Sequence, residues 1–303
     1  MVSPATKRRA VRESVENAVG STAQACRALG LARSSYYRLP KVAQSQRQLH
    51  ANIVQLSVDH PRYGYRRITA LLRREGLRVN PKRVQRLRRE HGLQTRKRQR
   101  RMKRVGPTTT RRQQASKANH VWSWDFVHDQ TINGGRFRVL TLIDEHTRQC
   151  LTTHAQWSIR AVDVITVVKA AMQKHGRPEH LRSDNGPEFI AYAIQDWLKT
   201  EQVETLYIKP GSPWENAYIE SFHDKLRDEC LNRELFGSLA EARVVINAWR
   251  NEYNQLRPHS SLGYLTPNEF ALSPHHRGLR SGFALPAPTM INPTHNKNCR
   301  SLV

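Results

Sequence analysis

Three acidic residues stand where strands and a helix could gather them: Asp125 in VWSWDFV, Asp184 in RSDNGPEF and Glu220 in PGSPWENAYIESF, with 35 residues between the last two. Asp125 lies inside an apolar β-type run, flanked by Trp122, Trp124 and Phe126, where a charge is costly unless it meets a cation at the sheet surface. Asp184 falls where a short strand leaves the sheet through an Asn185-Gly186 turn. Hard divalent ions favour a few protein oxygens and keep other positions for water and phosphate. Two such ions about 3.5 to 4 Å apart can activate an attacking oxygen and stabilise a leaving one, and three carboxylates suffice to hold both. The expected cofactor is therefore Mg2+, as two ions held by Asp125, Asp184 and Glu220, with Mn2+ as a substitute.

Any single acid could equally be a surface charge or a cap. The rivals are Asp129 and Asp144 for the first position, Glu188 for the second, and Glu215 and Asp224 for the third. Asp144 ends a strand and can cap the turn EHTR, which makes it structural, whereas Asp224 lies one turn past Glu220 on the same face and is the strongest rival. Helical spacing also aligns Asn216, Glu220, His223 and Arg227 along one side. That side places Arg227 against a DNA backbone and offers His223 or Asn216 to a scissile phosphate; its ordinary alternative is a solvated helix face.

The elements that must position these residues follow from periodicity. VWSWDFV, RFRVLTLIDEHTR after an Asn133-Gly134-Gly135 turn, and QCLTTHAQW predict an antiparallel meander. A helix over 162–174, a strand over 180–183, a helix over 190–200, the strand ETLYI and a helix from Trp214 to about Leu231 continue the order βββαβαβα. A helix over 239–253 and a Pro-rich tail complete it. The predicted class is α/β, an RNase H-like catalytic core with a mixed five-stranded sheet, preceded by small all-α helix-turn-helix-type DNA-binding modules.

Upstream, residues 1 to 120 carry 30 Lys+Arg against 5 Asp+Glu, while the remaining 183 residues are neutral. So one-sided a distribution is the footprint of a polyanion partner, and nucleic acid fits it. Residues 1–45 read as three short helices: one over Arg12–Val19, one capped by Ser21, and one beginning near Arg33 that presents Arg33, Ser34 and Tyr37 as a recognition helix. Residues 46–94 read as a basic helical domain. Ile68, Leu71 and Leu72 form one stripe, Gly76 a stop and Asn80-Pro81 a new start, and Lys82, Arg83, Arg86, Arg88 and Arg89 surround the inward Val84 and Leu87. Residues 95–118, Arg98 among them, lose apolar periodicity and read as a linker that orders on phosphates. The catalytic domain spans 119–272 and a tail 273–303. The first module is expected to read bases and the second to grip phosphates.

Cys26, Cys150, Cys230 and Cys299 lie far apart without a CxxC pair, so they read as reduced thiols rather than a zinc knuckle. With no membrane-length apolar run and no signal-like start, the expectation is a cytoplasmic, nucleoid-associated protein.

The blocks WSWDFV, RSDNGPEF, PGSPWENAYIESFHDKLRDE and YNQLRPHSSLGYLTP, with HPRYGYRRI and VNPKRVQRLRREHGL upstream, resemble the DDE transposases of the two-frame insertion sequences, the family numbered three. The resemblance covers nearly the whole chain. It implies Asp125, Asp184 and Glu220 as metal ligands, Arg227 at the family's basic position, and terminal inverted repeats as substrate. It further implies cleavage to a free 3′-hydroxyl, strand transfer into target DNA, and a homo-oligomer on DNA. Because no heptad run is present, the chain resembles the downstream-frame product, with an upstream-frame protein as a possible partner. A retroviral-type integrase would add a His/His/Cys/Cys domain, which is lacking here. A nuclease of the same fold, or an inactive DNA-binding regulator derived from such an enzyme, remains the alternative.

Overall fold

The computed structural model describes residues 3–37, 44–95, 114–183, 192–208 and 216–273. Two compact units divide the chain, residues 1–53 and 54–303.

In the first unit, α1 (Pro4–Glu16) starts at a Ser3 cap with proline in its first turn, so it begins a full two turns before the expected Arg12 and ends before Val19. Ser21 and Gln24 form a reciprocal capping box that opens α2 (Thr22–Ala28), as its sequence requires. α3 (Arg33–Tyr37) follows. Val11, Ala25, Cys26 and Leu31 make the small core.

Helix α4 (Gln44–Asp59) was not foreseen, although Leu49, Ile53 and Leu56 recur at helical spacing within it. Next, α5 (Tyr65–Arg74) and α6 (Pro81–Glu90) bury Ile68, Leu71, Leu72, Val84 and Leu87. Asn80 accepts a hydrogen bond from Lys82 N–H at 2.9 Å and Pro81 opens α6, the start that the sequence indicates.

The second unit's sheet contains β1 (Val121–Gln130), β2 (Arg136–Asp144), β3 (Cys150–Gln156), β4 (His180–Ser183) and β5 (Glu204–Tyr207), ordered β3-β2-β1-β4-β5. The first three strands form the antiparallel meander, and β4 and β5 add in parallel beside β1. Alternation along the strands divides the core. Trp122, Trp124, Leu140 and Leu142 pack with α7 (Ala161–His175) and α8 (Tyr192–Thr200). Val127, Val139 and Ile143 pack with α9 (Ala217–Glu229) and α10 (Leu239–Gln255). This helix-sheet-helix arrangement is the expected RNase H-like class. A final helix that was not expected, α11 (Pro267–Leu272), ends where the predicted catalytic domain ends; Thr266 and Glu269 cap it reciprocally around Pro267. Among the described residues no helix is long and apolar enough to cross a membrane.

Candidate functional site

Because side chains alternate across a strand, burying Trp122 and Trp124 against α7 and α8 turns Asp125 toward α9. Its carboxylate is partly exposed, and Oδ1 accepts a hydrogen bond from Phe126 N–H at 2.7 Å. Thr141 stands opposite on β2 and donates to the Asp125 carbonyl at 2.9 Å. His223 of α9 completes the cluster: Nε2 is 2.7 Å from Thr141 Oγ1, and Nδ1 is 3.5 Å from Asp125 Oδ2. Burial, then the positive charge of Arg227, pushes the imidazole down to about 4, so His223 is neutral at neutral pH. Because the Thr141 hydroxyl is donated to the Asp125 carbonyl, the ring proton sits on Nε2 and Nδ1 is the unprotonated nitrogen. Thr141 is a site residue that the sequence reading missed; only its register with Asp125 identifies it.

Glu220 lies on the first turn of α9, three residues before His223, and is exposed. α9 thus carries Glu220 on the helix that meets Asp125. Asp224 is exposed as well. β4 ends at Ser183, beside β1; Asp184 lies outside the described residues. Asp144 is buried and accepts from the backbone N–H groups of Asn119, His146 and Thr147 at 2.7, 2.8 and 2.8 Å, the cap that its position suggested.

Next to this site runs a buried pair that the sequence did not reveal. Arg182 Nε donates to Glu145 Oε1 at 2.7 Å, and Ser123 donates to the same oxygen, so β1, β4 and the end of β2 are tied together just upstream of Asp125 and the end of β4.

The remaining nucleic-acid candidates separate by exposure. Arg33 and Ser34 are exposed, as is Tyr37 at 62%, and Lys82, Arg86, Arg89 and Arg227 are exposed with Arg83 half-buried. Arg227 also donates to the His128 carbonyl on β1 at 3.1 Å. Arg98 lies outside the described residues. Three assignments change. Arg88 is 3% exposed, packed with Val84 and Leu87, so it cannot grip a phosphate in this arrangement. Asn216 is buried at the N-cap of α9, with Oδ1 unpaired among the described residues, and is not offered to solvent. His223 is turned inward to Thr141 rather than outward to DNA.

A different cluster, His120, Glu179 and His180, brings three ligand-type atoms within 4.8 Å at the opposite ends of β1 and β4. Its groups are already engaged. Ser116 N–H donates to His120 Nδ1 at 3.1 Å, which leaves the proton of the neutral ring on Nε2 facing Glu179, and Lys117 Nζ is 2.5 Å from that carboxylate. His180 Nδ1 is 3.2 Å from Glu204. Cys26, Cys150 and Cys230 are buried free thiols.

Comparison with known proteins agrees with this layout. Integrase core domain families match residues 115–213 and 201–267, and an HTH-like domain matches residues 43–101. An uncharacterized 31.7 kDa protein of insertion element IS407 from Burkholderia multivorans is 43% identical over 264 residues, 86% of this chain and 93% of that protein. The uncharacterized 39.2 kDa protein of insertion element IS476 from Xanthomonas euvesicatoria is 41% identical over 273 residues, 89% of this chain and 78% of that protein. The transposase InsF of insertion sequence IS3A from Escherichia coli is 27% identical over 269 residues, 81% of this chain and 92% of that protein.

Proposed function

Because this chain belongs to the transposases of the insertion-sequence family numbered three, with an integrase core and an HTH-like domain, we propose that it cuts its element's ends and joins them to target DNA. Water attacks phosphorus at the end, the bond to the 3′-oxygen breaks, and the freed 3′-hydroxyl then attacks a target phosphate and expels another 3′-oxygen. The observation that carries this reading is the Asp125 carboxylate, turned by strand alternation onto the face where α9 brings His223 to 3.5 Å and carries Glu220.

The all-oxygen donor set of Asp125, Asp184 and Glu220 suits Mg2+, with Mn2+ as substitute, and two such ions would supply activation of the attacking oxygen and neutralisation of the leaving one. The chain's own groups do the rest. Neutral His223 donates Nε2–H to Thr141, whose hydroxyl in turn holds the Asp125 carbonyl, so the pair fixes the β1 backbone that carries the carboxylate. Exposed Arg227 lies beside the path of the DNA backbone. On the basic side, Arg33, Ser34 and Tyr37 read base edges of the inverted repeat, while Lys82, Arg83, Arg86, Arg89 and Arg98 hold phosphates. The enzyme acts as an oligomer on DNA in the cytoplasm, with the upstream-frame protein as its partner.

The test uses purified protein, Mg2+ and labelled end duplex, scored for cleaved and joined products. Asp125→Asn, Asp184→Asn and Glu220→Gln should each reduce both products to background while leaving DNA affinity within about twofold, because arginine and lysine contacts supply the affinity. Normal turnover in any one variant would remove that residue from the site; for Glu220 the replacement would be Asp224.

A further inference from the structure

Two of the three arginines in the HPRYGYRR segment, Arg62 and Arg67, are matched by acids of the catalytic domain, whereas Arg66 stays exposed. Arg62 pairs with Asp228. Arg67 Nη1 lies 3.4 Å from Glu229 Oε1, and Arg257 grips the same carboxylate in a fork, at 2.7 Å through Nε and 2.6 Å through Nη2. Tyr63 donates to Glu252 at 3.3 Å, and His60 Nδ1 is 3.0 Å from that carboxylate, its ring stacked on Tyr63. At the far end of α5, Arg74 reaches Glu269 at 2.5 Å and the carbonyls of Leu256 and Tyr264 at 2.9 and 3.2 Å.

Asp228 and Glu229 close α9, the helix whose first turn carries Glu220. Two acids at a helix C-terminus oppose the helix dipole, and Glu229 is nearly buried too, so their placement needs compensating cations. Those cations come from the basic module and from Arg257. A helix is stiff along its length, and nine residues at 1.5 Å each put Glu220 only about 13 Å from the anchored end. Ile219, Phe222 and Leu226 pack α9 onto the sheet, so fixing its last turn also fixes its rotation, and with it the direction of Glu220.

We propose that the HPRYGYRR segment is an intramolecular clasp that positions the helix carrying Glu220, and that Arg62 and Arg67 are positioning residues rather than DNA contacts. The proposal rests on the reading of Glu220 as an active-site acid. It also explains why a basic helical module stands immediately before an integrase core: one of its helices is committed to the core, and the other is left to bind DNA.

The test has two arms on the full-length protein. In the first, Arg62→Gln and Arg67→Gln are titrated against end duplex over a range of salt. The logarithmic salt slope should stay as in the parent, whereas loss of a phosphate contact would lower it by about one unit. In the second, Arg62→Glu, Asp228→Arg and the double exchange are compared by hydrogen exchange of the α9 amides and by joining rate at saturating DNA. Each single reversal should speed α9 exchange and slow joining by about three- to fivefold, the range of an exposed ion pair, and the double should recover both to within about twofold. Salt slopes reduced by a unit, or a double variant no better than the singles, would overturn the clasp. Failure of the active-site reading looks different: Glu220→Gln would keep joining, while the exchange arm would still report whether the clasp exists.

Discussion

Helices α5 and α6 come from one arginine-rich stretch and share one small core, yet they use their charge in opposite ways. Arg67 and Arg74 of α5, with Arg62 just before it, are matched by Glu229, Glu269 and Asp228 of the catalytic domain. Lys82, Arg86 and Arg89 of α6 project into solvent, where among the described residues their ion pair is the local one between Arg86 and Glu90 at 3.7 Å. Net charge therefore overstates the DNA-binding capacity of the module. What counts for a polyanion is the cationic surface left after internal pairing.

The sharpest break in that comparison is Glu229→Ala, which leaves Arg257, 1% exposed, buried without its fork partner. Removing one member of a buried pair costs about 3 to 5 kcal/mol, measured by chemical denaturation, whereas Arg89→Ala on α6 should change stability by no more than about 0.5 kcal/mol. Equal losses at the two positions would erase the distinction.

His259 supplies a pH-dependent version. It is buried beside Arg257, and burial first, then that guanidinium, pushes its pKa from 6.5 down to about 2. The folded state therefore refuses a proton that the unfolded chain accepts. Stability from this group is complete above about pH 6.5 and declines as the pH falls toward 2. Unfolding midpoints at pH 7.5 and pH 5 should differ less in His259→Gln than in the parent; an unchanged difference would mean that other groups carry the acid sensitivity.

The smallest effects separate neighbours within α6. Arg88→Ala should cost about 1 to 3 kcal/mol of stability through lost packing of its buried stem and leave the salt slope of DNA binding alone. Arg89→Ala should do the reverse, lowering the slope by about 0.9 with little change in stability. A fall in slope for Arg88→Ala would return that residue to the DNA surface.

Much of the fold and part of the candidate site can be read from local order in the chain. Asp125, directly after the alternating Trp122 and Trp124, already implies one strand face for the core and another for the carboxylate, and Asn80-Pro81 and Asp144 act as the cap signals they resemble. Even Arg88 carried a signal: with Val84 and Leu87 it lies at the i and i+4 positions of the apolar stripe, and its charge drew attention from its place. Other features had no sequence trace. Asp125 meets His223 across 98 residues of chain and Arg67 meets Glu229 across 162, and nothing in the local pattern says which cation will find which acid.

Periodicity, caps and turns are settled within a few residues by backbone sterics and hydrogen bonding, so the sequence by itself determined the strands, their faces, the capped starts at Ser21 and Asn80 and the acid placed on the sheet. Pairing between distant charged groups depends on topology, on burial and on the long side chains that bridge separate elements. Tertiary structure alone therefore decided that Arg67 of α5 would meet the catalytic helix and that His223 would turn inward to Thr141 beside Asp125.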